Sequence, residues 1–202
     1  MRRASARRLR GAPERHGQPM ELITTRETKL LWLGHVSTPS EFASPATGEY
    51  ALLLVAVDDR LSPDEQADLF ERLVRSGCRY AVCFGPRSSS WDDAIDMVGV
   101  MDEVAGREAP FVMTTWHDSE LLEETVDFFA DHTEIQGWSP SEFVALVLGD
   151  AAQLDRVRGA LLRRFGLAEM GPWARVRAWA GRHGGWARHL LGITGRRAGS
   201  AR

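Results

Sequence analysis

The stretch "YALLLVAVDD" constrains the fold more than any other part of the chain. Residues 50–57 are apolar without interruption, rich in β-formers, and run into two carboxylates, Asp58 and Asp59. A strand with no polar alternation is buried on both faces, the pattern of a parallel sheet covered by helices. A crossover helix is then required, and the next residues supply one. Ser62, Pro63 and Glu65 predict a capping box with proline at the first helical position. Leu69, Phe70, Leu73 and Val74 recur at helical spacing, and Gly77 stops the helix.

The same rhythm recurs three times. "CRYAVCFG" reads as a second strand, followed by "PRSSSWDDAIDMVGVMDEVAG", a helix with serine caps and Ile95, Val98, Met101 and Val104 along one face. "APFVMTT" is the third strand, and "SELLEETVDFFADH" places Leu122, Thr125, Val126 and Phe129 on one helical stripe. "SEFVALVLGD" is the fourth strand, and "AAQLDRVRGALLRRFG" the helix after it. Four βα units in succession predict an α/β fold: three layers, doubly wound, with a mainly parallel sheet of four to five strands, Rossmann-like or flavodoxin-like. An extra strand from "TKLLWLGHV" is expected at one edge.

The 202 residues, 44% of them hydrophobic, suffice for one such domain, expected over residues 20–165. Charge is distributed unevenly. Met20–Asp155 carries 8 basic and 26 acidic side chains, a balance of −18; residues 1–19 carry six Arg against Glu14, and residues 156–202 eleven Arg against Glu169. Lys29 is the only lysine, a bias of GC-rich coding that accounts for part of the arginine enrichment. Residues 1–19 have no apolar stretch behind their arginines, so no secretory signal is expected there. They read as a disordered leader or an over-extended start, with Met20 as the alternative first residue. The longest apolar run is far below the roughly 20 residues of a membrane span, and the protein is expected to be soluble and cytoplasmic. Cys78 and Cys83 fit neither a CxxC motif nor a zinc spacing and read as buried free thiols.

In open parallel sheets ligands bind beyond the carboxyl ends of the strands, where strand order reverses. With strands ordered 2-1-3-4, Asp58 and Asp59 would face Thr114, Thr115 and His117 across one crevice. His117 is then the candidate general base, with Asp118 beside it. Asp58 and Asp59 are candidate ligands of Mg²⁺. Arg87, Ser88 and Ser89 before a helix are a candidate anion cradle, and Thr114, Thr115 and Trp116 candidate ligand contacts. Each has a plainer role: Asp118 or Ser119 as helix N-cap, Trp116 as a packing residue, the serines as caps, the aspartates as turn formers. No GxxxxGK[ST] loop, no GxGxxG after the first strand, no GxSxG elbow and no HExxH is present.

"ALLLVAVDDRLSPDEQADLFERLV" resembles the opening of a response-regulator receiver domain, and "APFVMTT" is similar to the receiver strand that ends in a hydroxyl residue. The pattern then departs. The strand between them ends in Phe84–Gly85 instead of a phosphoacceptor aspartate, and the fourth lacks the receiver lysine. Phosphotransfer is rejected on those grounds. Residues 50–150, with "VMTTWHD" ahead of an acidic helix, resemble a small family of uncharacterised bacterial α/β proteins, a domain of unknown function. That resemblance implies a fold and no chemistry.

Residues 166–202 form a basic tail with Trp173, Trp179 and Trp186. Trp173, Val176, Trp179, His183, Trp186 and Leu190 fall three to four apart, but Gly181, Gly184 and Gly185 each cost about 1 kcal/mol of helix. Such a segment, partly helical or disordered, suits an anionic membrane surface, nucleic acid, or the acidic body of its own chain, tryptophans inward; self-docking or disorder is favoured. Two functional readings follow. One is a non-catalytic interaction or regulatory module whose acidic body or basic tail meets a partner, a protein in the case of the body. The alternative is a small-ligand enzyme, a metal-assisted hydrolase or transferase using Asp58, Asp59, His117 and Arg87.

Overall fold

The computed structural model describes residues 20–26, 29–57, 61–108 and 110–165. Among these residues the chain builds a six-stranded, mostly parallel sheet and four α-helices: β1 (Glu21–Arg26), β2 (Lys29–His35), β3 (Tyr50–Ala56), α1 (Pro63–Arg75), β4 (Cys78–Phe84), α2 (Ser88–Val104), β5 (Met113–His117), α3 (Leu122–Asp131), β6 (Glu142–Leu148) and α4 (Ala151–Phe165). The α/β reading holds, with one strand more than expected. "TKLLWLGHV" does not close an edge. It forms β2, parallel to β6 on one side and antiparallel to β1 on the other, and β1 takes the edge.

Strand order is β1-β2-β6-β3-β4-β5. The unbroken apolar runs explain the centre. Every residue of β3 and β6 is buried, and each strand divides its side chains between two cores by alternation. Leu52, Leu54, Val144 and Leu146 pack with α1 and α2 on one face; Leu53, Val55, Phe143 and Val147 pack with α3 and α4 on the other. In β4 a register shift opposite Tyr50–Ala51 skips Arg79, so Cys78 and Cys83 share the α1–α2 face although an odd spacing separates them. Both thiols are free and buried. Burial pushes Cys78 up to about 12 and raises Cys83 as well.

The helices start and stop as their residues direct. Ser62 accepts from the Glu65 amide, and Glu65 reaches back to the Ser62 amide, completing the capping box of α1. Gly77 takes φ +104°, and a Cβ there would stand 2.8 Å from the Gly48 carbonyl oxygen. At α4, the Asp150 carboxylate accepts from the Gln153 amide at 2.9 Å, an N-terminal cap at the end of β6.

Two helix starts differ from expectation. The N-cap of α2 is Arg87, whose side chain makes no capping bond, and Ser88–Ser90 already lie inside the helix. The N-cap of α3 is Leu121, not Asp118 or Ser119. Leucine has no acceptor, so only half a capping box forms there: the Glu124 carboxylate accepts from the Leu121 amide at 3.1 Å.

The core face of α2 is the larger correction. Ile95 and Val98 are buried, as expected, but Met101 and Val104 are 57% and 79% exposed. A run in steps of three drifts off a helix of 3.6 residues per turn, and nine residues is about two and a half turns, the opposite side. The buried stripe is Trp91, Ile95, Val98 and Asp102. Asp102 is fully buried because two guanidinium groups meet it: Arg75 bonds both of its oxygens at 2.6 Å, and Arg107 adds 2.8 and 2.7 Å contacts. The Arg75 pairing, reinforced by Arg107, holds the carboxyl down to about 2. This triad clamps the carboxyl ends of α1 and α2 together.

Candidate functional site

The sheet order moves the reversal point. From β3 the chain steps outward to β4 and β5 and then returns to β6 on the far side of β3. Strand order reverses between β3 and β6, not between β3 and β5. The expected crevice joining Asp58 and Asp59 to Thr114, Thr115 and His117 is therefore corrected: β4 lies between the strands that would have formed it. Asp58 and Asp59 themselves lie outside the described residues. At the reversal point the His35 Nε2 is bonded to the Gly149 carbonyl, and Asp150 is occupied in capping α4.

The motif "TTWH" is not a loop. Thr114, Thr115, Trp116 and His117 are the body of β5, pairing with Ala81, Val82, Cys83 and Phe84. β-branched and aromatic residues suit an edge strand, and the ladder continues past it, the Gly85 amide donating to the His117 carbonyl at 3.2 Å. Alternation splits the motif over two faces. Thr115 and His117 face α3; Thr114 and Trp116 face the other way. Trp116 is more than half exposed rather than packed over the sheet end.

His117 is buried, 8% exposed, with its ring 4.8 Å from that of Phe128 on α3. Its Nδ1 stands 3.6 Å from a Glu120 oxygen and its Nε2 3.4 Å from the Thr115 hydroxyl. Burial lowers the imidazole below its ordinary value, and the Glu120 charge opposes that shift. Asp118 is exposed in the bend after the strand. Arg87 and Ser89 are exposed, whereas Ser88 is fully buried. The β4–α2 turn sits beside the end of β3: Gly85 has φ +132°, and a Cβ there would come within 2.2 Å of the Ala56 carbonyl oxygen. Among the described residues no cluster of three or more His, Cys, Asp or Glu is arranged to hold a metal ion.

The surface that stands out lies elsewhere. α2 presents Met97, Val100, Met101 and Val104 to the outside, and Phe111 after it is 58% exposed. Grooves flank the helix on both sides. One, between α1 and α2, encloses about 640 Å³ and is lined by Ala67, Ala94, Met97 and Met101 together with Asp68, Glu71 and Asp93. The other, about 350 Å³, runs between α2 and Pro110–Val112. A contiguous apolar ridge with charged rims is the form of an interaction surface. Sequence reasoning missed it by assigning Met101 and Val104 to the core; the step-of-three spacing was the signal that they could not both stay there.

Residues 31–164 match the family described as domain of unknown function DUF7684. The chain belongs to this family. The DUF7684 match runs from β2 to α4 and contains α2, its two grooves and the Arg75–Asp102–Arg107 clamp, whereas β1 and residues 165–202 lie outside it. No curated protein matches the chain. No helix among the described residues is long and apolar enough to cross a membrane.

Proposed function

We propose that this DUF7684 protein is a doubly wound, Rossmann-like domain used as a non-catalytic interaction or regulatory module, with the outer face of α2 as its docking surface for a protein partner. The observation that carries the reading is the row Met97, Val100, Met101 and Val104, exposed on a helix whose opposite face is fully packed. Exposed methionines adapt to an apolar partner at low cost, and acids such as Asp93 and Asp96 rim the ridge and favour a basic one. Bacterial origin and a cytoplasmic location accord with this reading.

The metal-assisted hydrolase or transferase reading draws less support. Asp58 and Asp59 lie outside the described residues, and of the rest Thr115 and His117 share one face of β5, Thr114 and Trp116 the other, with the His117 ring against Phe128. Two comparisons test the proposal. Proteins co-purifying with the natural full chain should include a partner absent from the Met97→Glu/Met101→Glu variant of equal stability; an unchanged set would contradict the docking face. Millimolar Mg²⁺ should leave the melting temperature unmoved, whereas a rise would restore the enzyme reading.

A further inference from the structure

The two edges of the sheet are not alike. At one, β1 is blunted by a register shift between Leu22 and Thr24, and its Glu21 is ion-paired with Arg158 of α4. At the other, β5 carries neither device. Met113–His117 contains no Lys, Arg, Asp, Glu or Pro, and it pairs with β4 without a register shift. Bulges, charges and proline normally blunt an edge, because an open ladder recruits another strand. We propose that β5 recruits β5 of a second copy of this chain, antiparallel about a two-fold axis at Thr115, joining two six-stranded sheets into one. This seam is separate from the α2 ridge and gives the domain a second interface.

Three observations carry it. The first is the direction of the backbone. The His117 carbonyl accepts from the Gly85 amide, on the β4 side. Successive residues of a strand turn their N–H and C=O groups to alternate sides, so those of Thr114 and Trp116 point away from β4, out of the edge. No strand among the described residues lies beyond them. Two copies with Thr114 opposite Trp116 make two hydrogen-bonded pairs, each exchanging both of its bonds.

The second is that the strand complements itself in this register. The bulky Trp116 of each copy faces the small Thr114 of the other, Thr115 faces Thr115 on the axis, and Met113 faces His117. Aromatic against β-branched and threonine against threonine are favourable cross-strand pairs. The acids that follow the strand, Asp118 and Glu120, fall opposite Val112 and Pro110 at the ends of the seam, so the ladder opposes no like charges.

The third is apolar exposure along the edge. Trp116 is 54% exposed, Phe111 58% and Met113 37%. Trp116 pairs with Cys83, whose side chain lies in the α1–α2 core, so its ring stands on the α2 side. Across the seam its diagonal neighbours are the other copy's Trp116 and Val112, within reach of an aromatic ring. Val112 lines the groove beside α2, so each tryptophan leaves solvent at the rim of the other copy's groove.

Sedimentation of the full-length chain should show a dimer at about 100 µM that dissociates below about 1 µM, the range of a small interface. Trp116→Lys places a charge on the edge, and Thr114→Pro removes an N–H that β4 does not use. Each should sediment as a folded monomer. The native thiols are buried and stay silent. Thr115→Cys would put two Cα atoms about 4.5 Å apart across the axis, within disulfide reach. On mild oxidation it should cross-link at least about tenfold faster than Ala152→Cys, on the exposed start of α4. A chain that stays monomeric at the higher concentration would overturn the seam and leave the edge to another occupant. A dimer indifferent to both edge variants, or equal cross-linking at 115 and 152, would overturn it too. A dimer lost instead in Met97→Glu/Met101→Glu would seat the second copy on α2, again overturning the seam.

Discussion

The two helical layers solve the same packing problem and finish differently. On one face of the sheet α3 and α4 bury Leu122, Val126, Phe129, Val157 and Leu161, and then stitch their outer sides with charge: Arg163 to Glu123, and Arg164 to Asp127 and Asp131. On the other face α1 and α2 bury Leu69, Phe70, Leu73, Trp91 and Ile95, and are clamped from within by Asp102. Their outer side keeps Met97, Val100 and Met101 in the open. The first layer ties both of its helices together on the outside; the second carries the outer pairs Arg72–Asp68 and Arg75–Glu71 along α1 alone and leaves the outer side of α2 apolar, the face proposed above for docking.

The largest effects should show that the inward sides are equivalent. Trp91→Ala and Phe129→Ala remove fully buried rings from the two layers, and each should cost about 3–5 kcal/mol in chemical denaturation. A loss below about 1 kcal/mol for Trp91→Ala would show that the α1–α2 layer is loosely packed, and the contrast drawn above would fail.

Next comes the backbone contact between the β4–α2 turn and the end of β3. Gly85→Ala must place a Cβ against the Ala56 carbonyl at a positive φ, and should cost about 3 kcal/mol. Wild-type stability would mean that the β4–α2 turn is free to move and does not fix where α2 begins.

Two titrations then separate the layers. The folded Asp102 carboxyl is held below its unfolded value, so its contribution is complete above about pH 4 and disappears as pH falls toward about 2. Asp102→Asn should flatten that acid limb. His117, beside α3, is also lowered in the folded state, but here it is the neutral form that folding favours. Its contribution is present above the ordinary histidine range near pH 6.5 and is lost as pH falls through it. His117→Gln should remove that slope, and a slope that persists would assign it to another group.

The smallest effects distinguish the outer sides. Arg164→Ala breaks half-exposed pairs and should cost at most about 1 kcal/mol. Met97→Glu with Met101→Glu should change global stability by no more than about 1 kcal/mol, since neither side chain is in the core.

Much of this was legible in the sequence. The buried runs of β3 and β6 have no other reading, and the stripe Leu122, Thr125, Val126, Phe129 tracks the helical period so closely that all four are buried. α2 was harder because its period is kept by an acid: Asp102, not Met101, continues the stripe from Trp91, and a carboxylate is buried only when partners remote in sequence, here Arg75, come to it. β2 eluded placement for a related reason. Its position between β1 and β6 depends on which strand the chain returns to last, and no local pattern encodes that. The candidate site suffered the same limit. "TTWHD" is contiguous in sequence, yet alternation sends its side chains to opposite faces of an edge strand.

The measurement that bears most directly on the account compares two positions in living cells. Full-length chains carry a photo-crosslinking side chain either at 101, on the α2 ridge, or at 124, on the outer side of α3. Position 101 should give discrete adducts with a partner, and position 124 none. Equal adducts from both positions, or none from 101, would contradict the claim that α2 carries the working surface.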